Sequence, residues 1–170
     1  YSISVAKQMF SEPWFELDNK NGNLVLTSFY DDKQKDEAVA NGFVYAGFDP
    51  ANGTPVKTNY TPFSKSFIAE LTGRETVTNQ SLYTFTIRKS ILRNDGGALI
   101  LAESFIKDTR EIPVGVGMQP GFNNYRSTDI FQFNDVIAFS VNANGGIEWS
   151  NVMRKKQASD DDNGVYSSFL

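Results

Sequence analysis

Histidine and cysteine are both absent from the 170 residues. Within this chain that excludes disulfides, thiolate nucleophiles, zinc sites of the Cys or His type, and every triad or acid–base pair built on an imidazole. Positive charge is scarce as well. Sixteen Lys and Arg stand against 20 Asp and Glu, a formal net charge of -4, which argues against a broad nucleic-acid surface. The one basic run, Arg154-Lys155-Lys156, is soon followed by Asp160-Asp161-Asp162 and reads as a solvated, self-neutralising loop. No stretch approaches the roughly 20 apolar residues of a membrane-crossing helix. Gly115-Val116-Gly117 lacks the Lys-Ser/Thr that completes a phosphate loop.

Aromatic and strand-forming residues are plentiful. Hydrophobic residues make up 40% and aromatics 14%, with 14 Phe, enough for one packed domain rich in sheet. The first residue is Tyr1, and "YSISVAKQMF" has no charged n-region. The reading is therefore a processed protein or a piece of a longer one.

The chain repeats itself. "NGFVYAGFDPANGTPVKTN" at 41–59 is echoed by "NDVIAFSVNANGGIEWSNV" at 134–152, and "NGNLVL" at 21–26 by "GGALIL" at 96–101. Aligned directly, Leu24, Val25 and Leu26 meet Leu99, Ile100 and Leu101, while Phe43, Val44 and Phe48 meet Val136, Ile137 and Val141. Asn52-Gly53 and Asn144-Gly145 tolerate positive φ, so each should turn an antiparallel hairpin.

Strands are expected near 23–30, 42–48 and 54–60 in unit one, about 15–63. In unit two, about 81–157, they are expected near 82–93, 98–106, 134–141 and 147–153. Between the units a short helix over 64–72 is predicted, with Ser64 as N-cap, Phe67, Ile68 and Leu71 on one face, and Gly73 past its end. The segment 107–129 has no periodicity and much Gly and Pro, so it reads as a long binding loop.

"DGGALILAESF" followed by "NDVIAFSVNANGGIEWSNV" resembles the repeats of bacterial β-propellers. In those a Gly-Gly-hydrophobic strand precedes an Asp-led strand, a Gly turn and a closing Trp. Asp95, Gly96, Gly97, Asp135, Asn142, Gly145, Ile147 and Trp149 fall on that pattern. Unit one is a degenerate copy, with Gly42 for the Asp and Val56 near the Trp. More narrowly, the chain, including its closing "RKKQASDDDNGVYSSFL", is similar to uncharacterised exported proteins of Gram-negative envelopes. The resemblance implies an all-β fold: two β-propeller-like four-stranded blades, part of a larger propeller, with one short helix. It also implies a periplasmic or cell-surface location, and it carries no catalytic signature. Two blades cannot close a ring, so sheet edges should need a partner. The final 163–169 resembles the start of another blade.

The functional expectation is a non-enzymatic interaction or scaffold module, an accessory or plug-like subunit of an outer-membrane secretion or transport complex. It needs no cofactor, no nucleic acid and no membrane span of its own. Phe122, Tyr125 and Arg126 in the 107–129 segment, with Trp14 outside any repeat, are the candidate partner-facing residues. Asp160, Asp161 and Asp162 are weak metal candidates, because they are hard ligands without the spacing of a calcium loop. The alternative is a glycan-binding or glycan-processing module. It would need an exposed platform including Trp14 and carboxylates such as Glu16, Asp18, Glu103, Asp129 or Asp135. Trp149, being on the repeat pattern, is expected between blades.

Overall fold

The structure, a computed structural model, describes residues 9–31, 39–73, 82–83, 85–116 and 123–168. It is mostly β, with about 65% of the described residues in strands. In chain order the elements are β1 (Met9–Leu17), β2 (Leu24–Asp31), β3 (Val39–Ala40), β4 (Gly42–Phe48) and β5 (Pro55–Pro62), then helix α1 (Lys65–Thr72). They continue with β6 (Leu82–Tyr83), β7 (Phe85–Leu92), β8 (Ala98–Val116), β9 (Asn123–Val141), β10 (Ile147–Met153) and β11 (Gln157–Asp160). Two antiparallel sheets result. Sheet one runs β1-β2-β4-β5, and sheet two runs β10-β9-β8-β7 with β11 added to β9. A two-residue ladder joins β3 to β6. No closed barrel or propeller is formed among the described residues.

Each sheet is a meander with the same punctuation. The β1–β2 turn is closed by the Asp18 N–H on the Asn23 carbonyl, and the β7–β8 turn by the Arg93 N–H on the Gly97 carbonyl. Gly22 (φ 74°) and Gly96 (φ 85°) supply the left-handed residue. Likewise Asp49 N–H closes on Thr54, and Asn142 N–H on Gly146. In both cases the turn of sheet one is longer by a residue. With these turns as fixed points, Leu24, Leu26 and Phe29 correspond to Ala98, Ile100 and Glu103. Phe43, Ala46 and Phe48 correspond to Val136, Phe139 and Val141. Direct sequence alignment places Leu24 on Leu99, one residue away, and such a slip exchanges the two faces of a strand.

The irregularities repeat too. Pairing shifts between Ser11 and Trp14 in β1 and between Ile87 and Lys89 in β7. It shifts again opposite Gly47/Phe48 in β5 and between Ile147 and Trp149 in β10. Beyond the second bulge Lys57, not Val56, takes the place of Trp149.

Side chains alternate across a strand and paired residues share a face, so each sheet has two distinct sides. The front of sheet one carries Val25, Phe29, Phe43 and Tyr45; its back carries Leu24, Leu26, Ala46 and Phe48. The back of sheet two, by correspondence, carries Ala98, Ile100, Ala102, Ile137, Phe139 and Val141. The main core is the front of sheet one against the back of sheet two. Phe139 meets Phe43 edge-on at 5.0 Å, and Phe29 lies 6.4 Å from both rings. The back of sheet one holds a separate small cluster of Leu26, Ala46 and Phe48. Lys20 in the first turn of sheet one donates to the Asn94 carbonyl in the first turn of sheet two. Tyr45 O–H donates to Gly96 (3.0 Å) and Thr61 Oγ1 to Gly145 (3.1 Å). Corresponding ends are therefore together, and the sheets stack front to back in one sense.

The helix forms as its sequence signals require. Ser64 Oγ accepts from the Phe67 N–H, and Gly73 is left-handed at φ 66°. Ile68 and Leu71 are buried in the main core, and Phe67 stacks on Phe63 at 4.9 Å.

Two expectations are overturned. The segment 107–129 is not an irregular loop: β8 and β9 run on as a continuous antiparallel hairpin to the pair Val116–Asn123. Its described side chains at 109–113 and 125–127 are exposed, so nothing there selects apolar residues at alternate positions. The closing 163–169 does not begin a strand: 161–167 turn over the end of β9, with Gly164 packed on the Phe133 ring.

Candidate functional site

The distal part of the β8–β9 hairpin is an exposed feature of the fold, with Ile112 and Tyr125 both open to solvent. β7 leaves β8 at the pair Phe85–Ser104, and β11 covers β9 only from Ile130 to Phe133. Beyond these, among the described residues, the two strands pair with each other alone. Cross-strand contacts hold the ribbon: Lys107 reaches Asp129 at 2.7 Å and lies over the Phe131 ring, and Thr109 Oγ1 donates to Asp129 (2.7 Å). Hydrogen bonds from Lys107 and Thr109 hold the Asp129 carboxyl below its ordinary range. At the root, Asp161 locks the ribbon to the C-terminal turn. Its N–H donates to the Asp129 carbonyl, and its carboxylate accepts from the Asp129 N–H (2.9 Å) and from Arg126 (2.8 Å).

The structure places Tyr125 and Arg126 side by side on this arm but on opposite faces. Tyr125 stands opposite Pro113 and is 56% exposed; Arg126 stands opposite Ile112, which is also exposed. Phe122 lies outside the described residues. Trp14 is elsewhere and not an exposed platform. The bulge in β1 turns it to the front of sheet one, where it is half-buried against the main core. Trp149 behaves the opposite way to expectation, at 50% exposure. It pairs with Ser140 on the front of sheet two, a face with no second sheet upon it among the described residues.

The acidic run is engaged internally. Asp160 ends β11, and Asp162 accepts from Ser159 Oγ (2.7 Å), the Gly164 N–H (2.8 Å) and the Tyr166 N–H (3.1 Å). Burial pushes the Asp162 carboxyl up, but these hydrogen bonds outweigh it and hold it below its usual value. Among the described residues, no group of three potential ligands is placed to hold a metal ion.

Sequence reasoning missed what Lys155 does. Rather than neutralising the Asp run, its Nζ reaches Glu103 Oε1 at 2.6 Å and donates to the Ser167 carbonyl. Glu103 is fully buried, with Arg88 Nε at 3.4 Å and Ser168 Oγ at 3.2 Å on its other oxygen. Arg88 also lies over Phe133 (5.1 Å), whose ring is 4.8 Å from Phe105. This cluster pins the C-terminal turn onto sheet two at the foot of the arm. Arg154 likewise pairs with Asp135 (2.5 Å) and donates to carbonyls of α1. The one signal in sequence was Glu103 itself, a charge at a front-face position of "LILAESF".

A cleft of about 360 Å³ lies between α1 and β10, lined among others by Phe63, Phe67, Glu70, Glu148 and Trp149. Glu148 is fixed by Arg93 (2.5 Å) and Ser140 (3.0 Å), and the hydrogen bond from Arg93 is the main cause that holds its carboxyl below the ordinary range. No protein family, curated protein or solved structure matches the chain.

Proposed function

We propose that the chain is a non-enzymatic interaction module of an exported envelope protein, built from two β-propeller-like blades and acting through its projecting arm. The observation that carries this is the arm itself. A two-stranded ribbon with Ile112 and Tyr125 exposed and its outer backbone edges open contributes little to a core, but suits docking to another protein. The front-to-back stacking of two sheets that share four corresponding strands supports the blade reading, since successive propeller blades pack that way. The resemblance to exported envelope proteins supports the location, and an outer-membrane secretion or transport complex is the partner that fits it.

The test replaces residues 108–128 by a short Asn-Gly turn and compares what co-purifies from gently solubilised envelopes of the native cell. The full-length chain should migrate in a defined complex, and the shortened one alone, with its cooperative thermal unfolding retained. If the shortened chain retains the complex, the arm is not the docking element.

One observation favours a second reading, saccharide binding: the α1–β10 cleft combines Trp149 and Phe67 with the carboxylates of Glu70 and Glu148 and lining serines. In a Trp14→Phe variant, Trp149 alone reports by fluorescence. A saturable change with maltohexaose or cellohexaose favours this reading, and none at millimolar sugar removes it.

A further inference from the structure

β8 loses its outer neighbour at the foot of the arm. β7 follows it only as far as the pair Phe85–Ser104, and the residues before β7, Leu82–Tyr83, go instead to Val39–Ala40 of β3. From Phe105 to Pro113, β8 pairs with β9 without a bulge and has nothing on its other side among the described residues. Along this edge Ile106, Lys107, Thr109, Arg110, Glu111 and Ile112 are all exposed. A regular open edge is a template for another strand, and a two-stranded ribbon is only marginally stable by itself.

The edge is also complementary to its own reverse. Residues 106–112 read "IKDTREI", and two copies laid antiparallel about Thr109 put Asp108 opposite Arg110, Lys107 opposite Glu111 and Ile106 opposite Ile112, each pair twice. Paired residues share a face. One face of the joined sheet then carries the two Asp108–Arg110 pairs with isoleucines at both ends, and the other carries the Thr109 pair between the two Lys107–Glu111 pairs. Within one copy Arg110 already reaches Asp108 at 2.9 Å, so the four groups close into a ring of alternating charge. Glu111 makes no ion pair among the described residues and gains one from the second copy's Lys107. A slip of one residue either way sets Lys107 against Arg110 or Asp108 against Glu111, and a parallel, in-register pairing opposes every charge to its like. A register centred on a residue also joins positions of like parity, so the outward N–H and C=O groups of the two edges meet.

We infer that two copies of this chain join through β8, antiparallel about Thr109, and make one four-stranded sheet from their two arms. The contact is two-fold and closed, and Pro113, which has no N–H, ends its ladder. This deepens the reading of the arm as a docking element and rests on it.

Mass is measured by light scattering and native mass spectrometry over a range of concentrations, for the full chain, Arg110→Asp, Asp108→Arg and an equal mixture of the two variants. Both residues are exposed and their pair adds little to stability, so each variant should keep the parent's thermal midpoint. The full chain should form a dimer and nothing larger. Each variant alone should dimerise at least about tenfold more weakly, because both cross-strand pairs become repulsive. The mixture should recover the parent's affinity as one-to-one pairs. The chain has no cysteine of its own, so single thiols read the register. Thr109→Cys places two thiols about 5 Å apart between Cα atoms, within disulfide reach, and should cross-link under mild oxidation. Glu111→Cys leaves them about four residues, or 13 Å, apart and should not. A parent that stays monomeric at every concentration overturns the inference, as does a mixture no tighter than its components or a Glu111→Cys chain that cross-links as fast as Thr109→Cys. A monomeric parent whose shortened form still loses the envelope complex overturns this pairing alone, and a dimeric parent whose shortened form keeps that complex overturns only the envelope docking.

Discussion

Positions Phe29 and Glu103 occupy the same place in the two sheets, and both are almost inaccessible to solvent. Phe29 is covered by a neighbouring sheet: its ring meets Phe43, Phe63 and Phe139. Glu103 faces the side where no sheet follows, and it is covered by Lys155, Arg88 and the C-terminal turn. The same backbone position can be closed by dispersion and apolar burial or by a desolvated ion cluster. The energetics of the two solutions differ, since burying charge gains little net stability while breaking such a cluster is costly. A second contrast repeats the lesson. Gly42 is open to the Tyr30 ring, which would lie 2.5 Å from any Cβ there, and Tyr30 stands edge-on to Tyr60. Asp135, its counterpart, instead binds Arg154 and the Lys155 N–H. Sheet one is finished with aromatic rings, sheet two with salt bridges.

The contrast breaks most directly at the shared interface. Phe139→Ala should destabilise the chain by about 3–5 kcal/mol, since a cavity opens between Phe29 and Phe43; urea unfolding measures it, and a loss below about 1 kcal/mol would mean the sheets are not held by this contact. Glu103→Ala strands two cations and should cost about 3–5 kcal/mol. The double replacement Glu103→Leu with Lys155→Met gives sheet two the apolar solution of sheet one and should recover most of that loss. A double variant as unstable as the single one would show that the charges, and not the filling of space, hold the turn. Gly145→Ala should cost about 1–3 kcal/mol, because φ is 82° and the new methyl would lie 2.8 Å from Asn59 Cβ. It should do so without touching the Glu103 cluster.

The smallest effect concerns acid. Asp162 and Asp129 have folded pKa values below their unfolded ones. The stability they contribute is therefore complete above the unfolded carboxyl pKa near 3.9 and is lost as pH falls through the folded value. Asp162→Asn should flatten the fall of thermal midpoint below about pH 4. An unchanged slope would assign the acid sensitivity elsewhere.

How much of this was readable from residues follows from which forces are local. Ser64 with Phe67 and Gly73 announces the helix, and Gly53 and Gly145 announce their turns, because caps and positive φ are set within a few residues. The bulges were only half readable: Pro13 in the Ser11–Trp14 stretch suits an edge strand or a bulge, but no side chain at 147–149 signals an extra residue. Yet they decide that Trp14 turns inward and Trp149 outward. Nor was the meeting of Lys155 with Glu103, 52 residues away, since the chain nearby offered Asp160–Asp162 as a nearer and wrong partner. The segment 107–129 was singled out, but its strand character escaped for the opposite reason: side chains exposed at 109–113 and 125–127 impose no apolar alternation.

The recurrence of both bulges at corresponding places has a consequence for ancestry. The residues beside them differ, Pro13 against Arg88 and Val56 against Glu148, so side-chain identity has drifted while the break in pairing has persisted. A bulge sets the local twist of its strand, and two sheets lie flush only when their twists match. Duplication followed by divergence would preserve that match for as long as the copies stayed in contact, making the misregistered residues a more durable record of common descent than the paired ones.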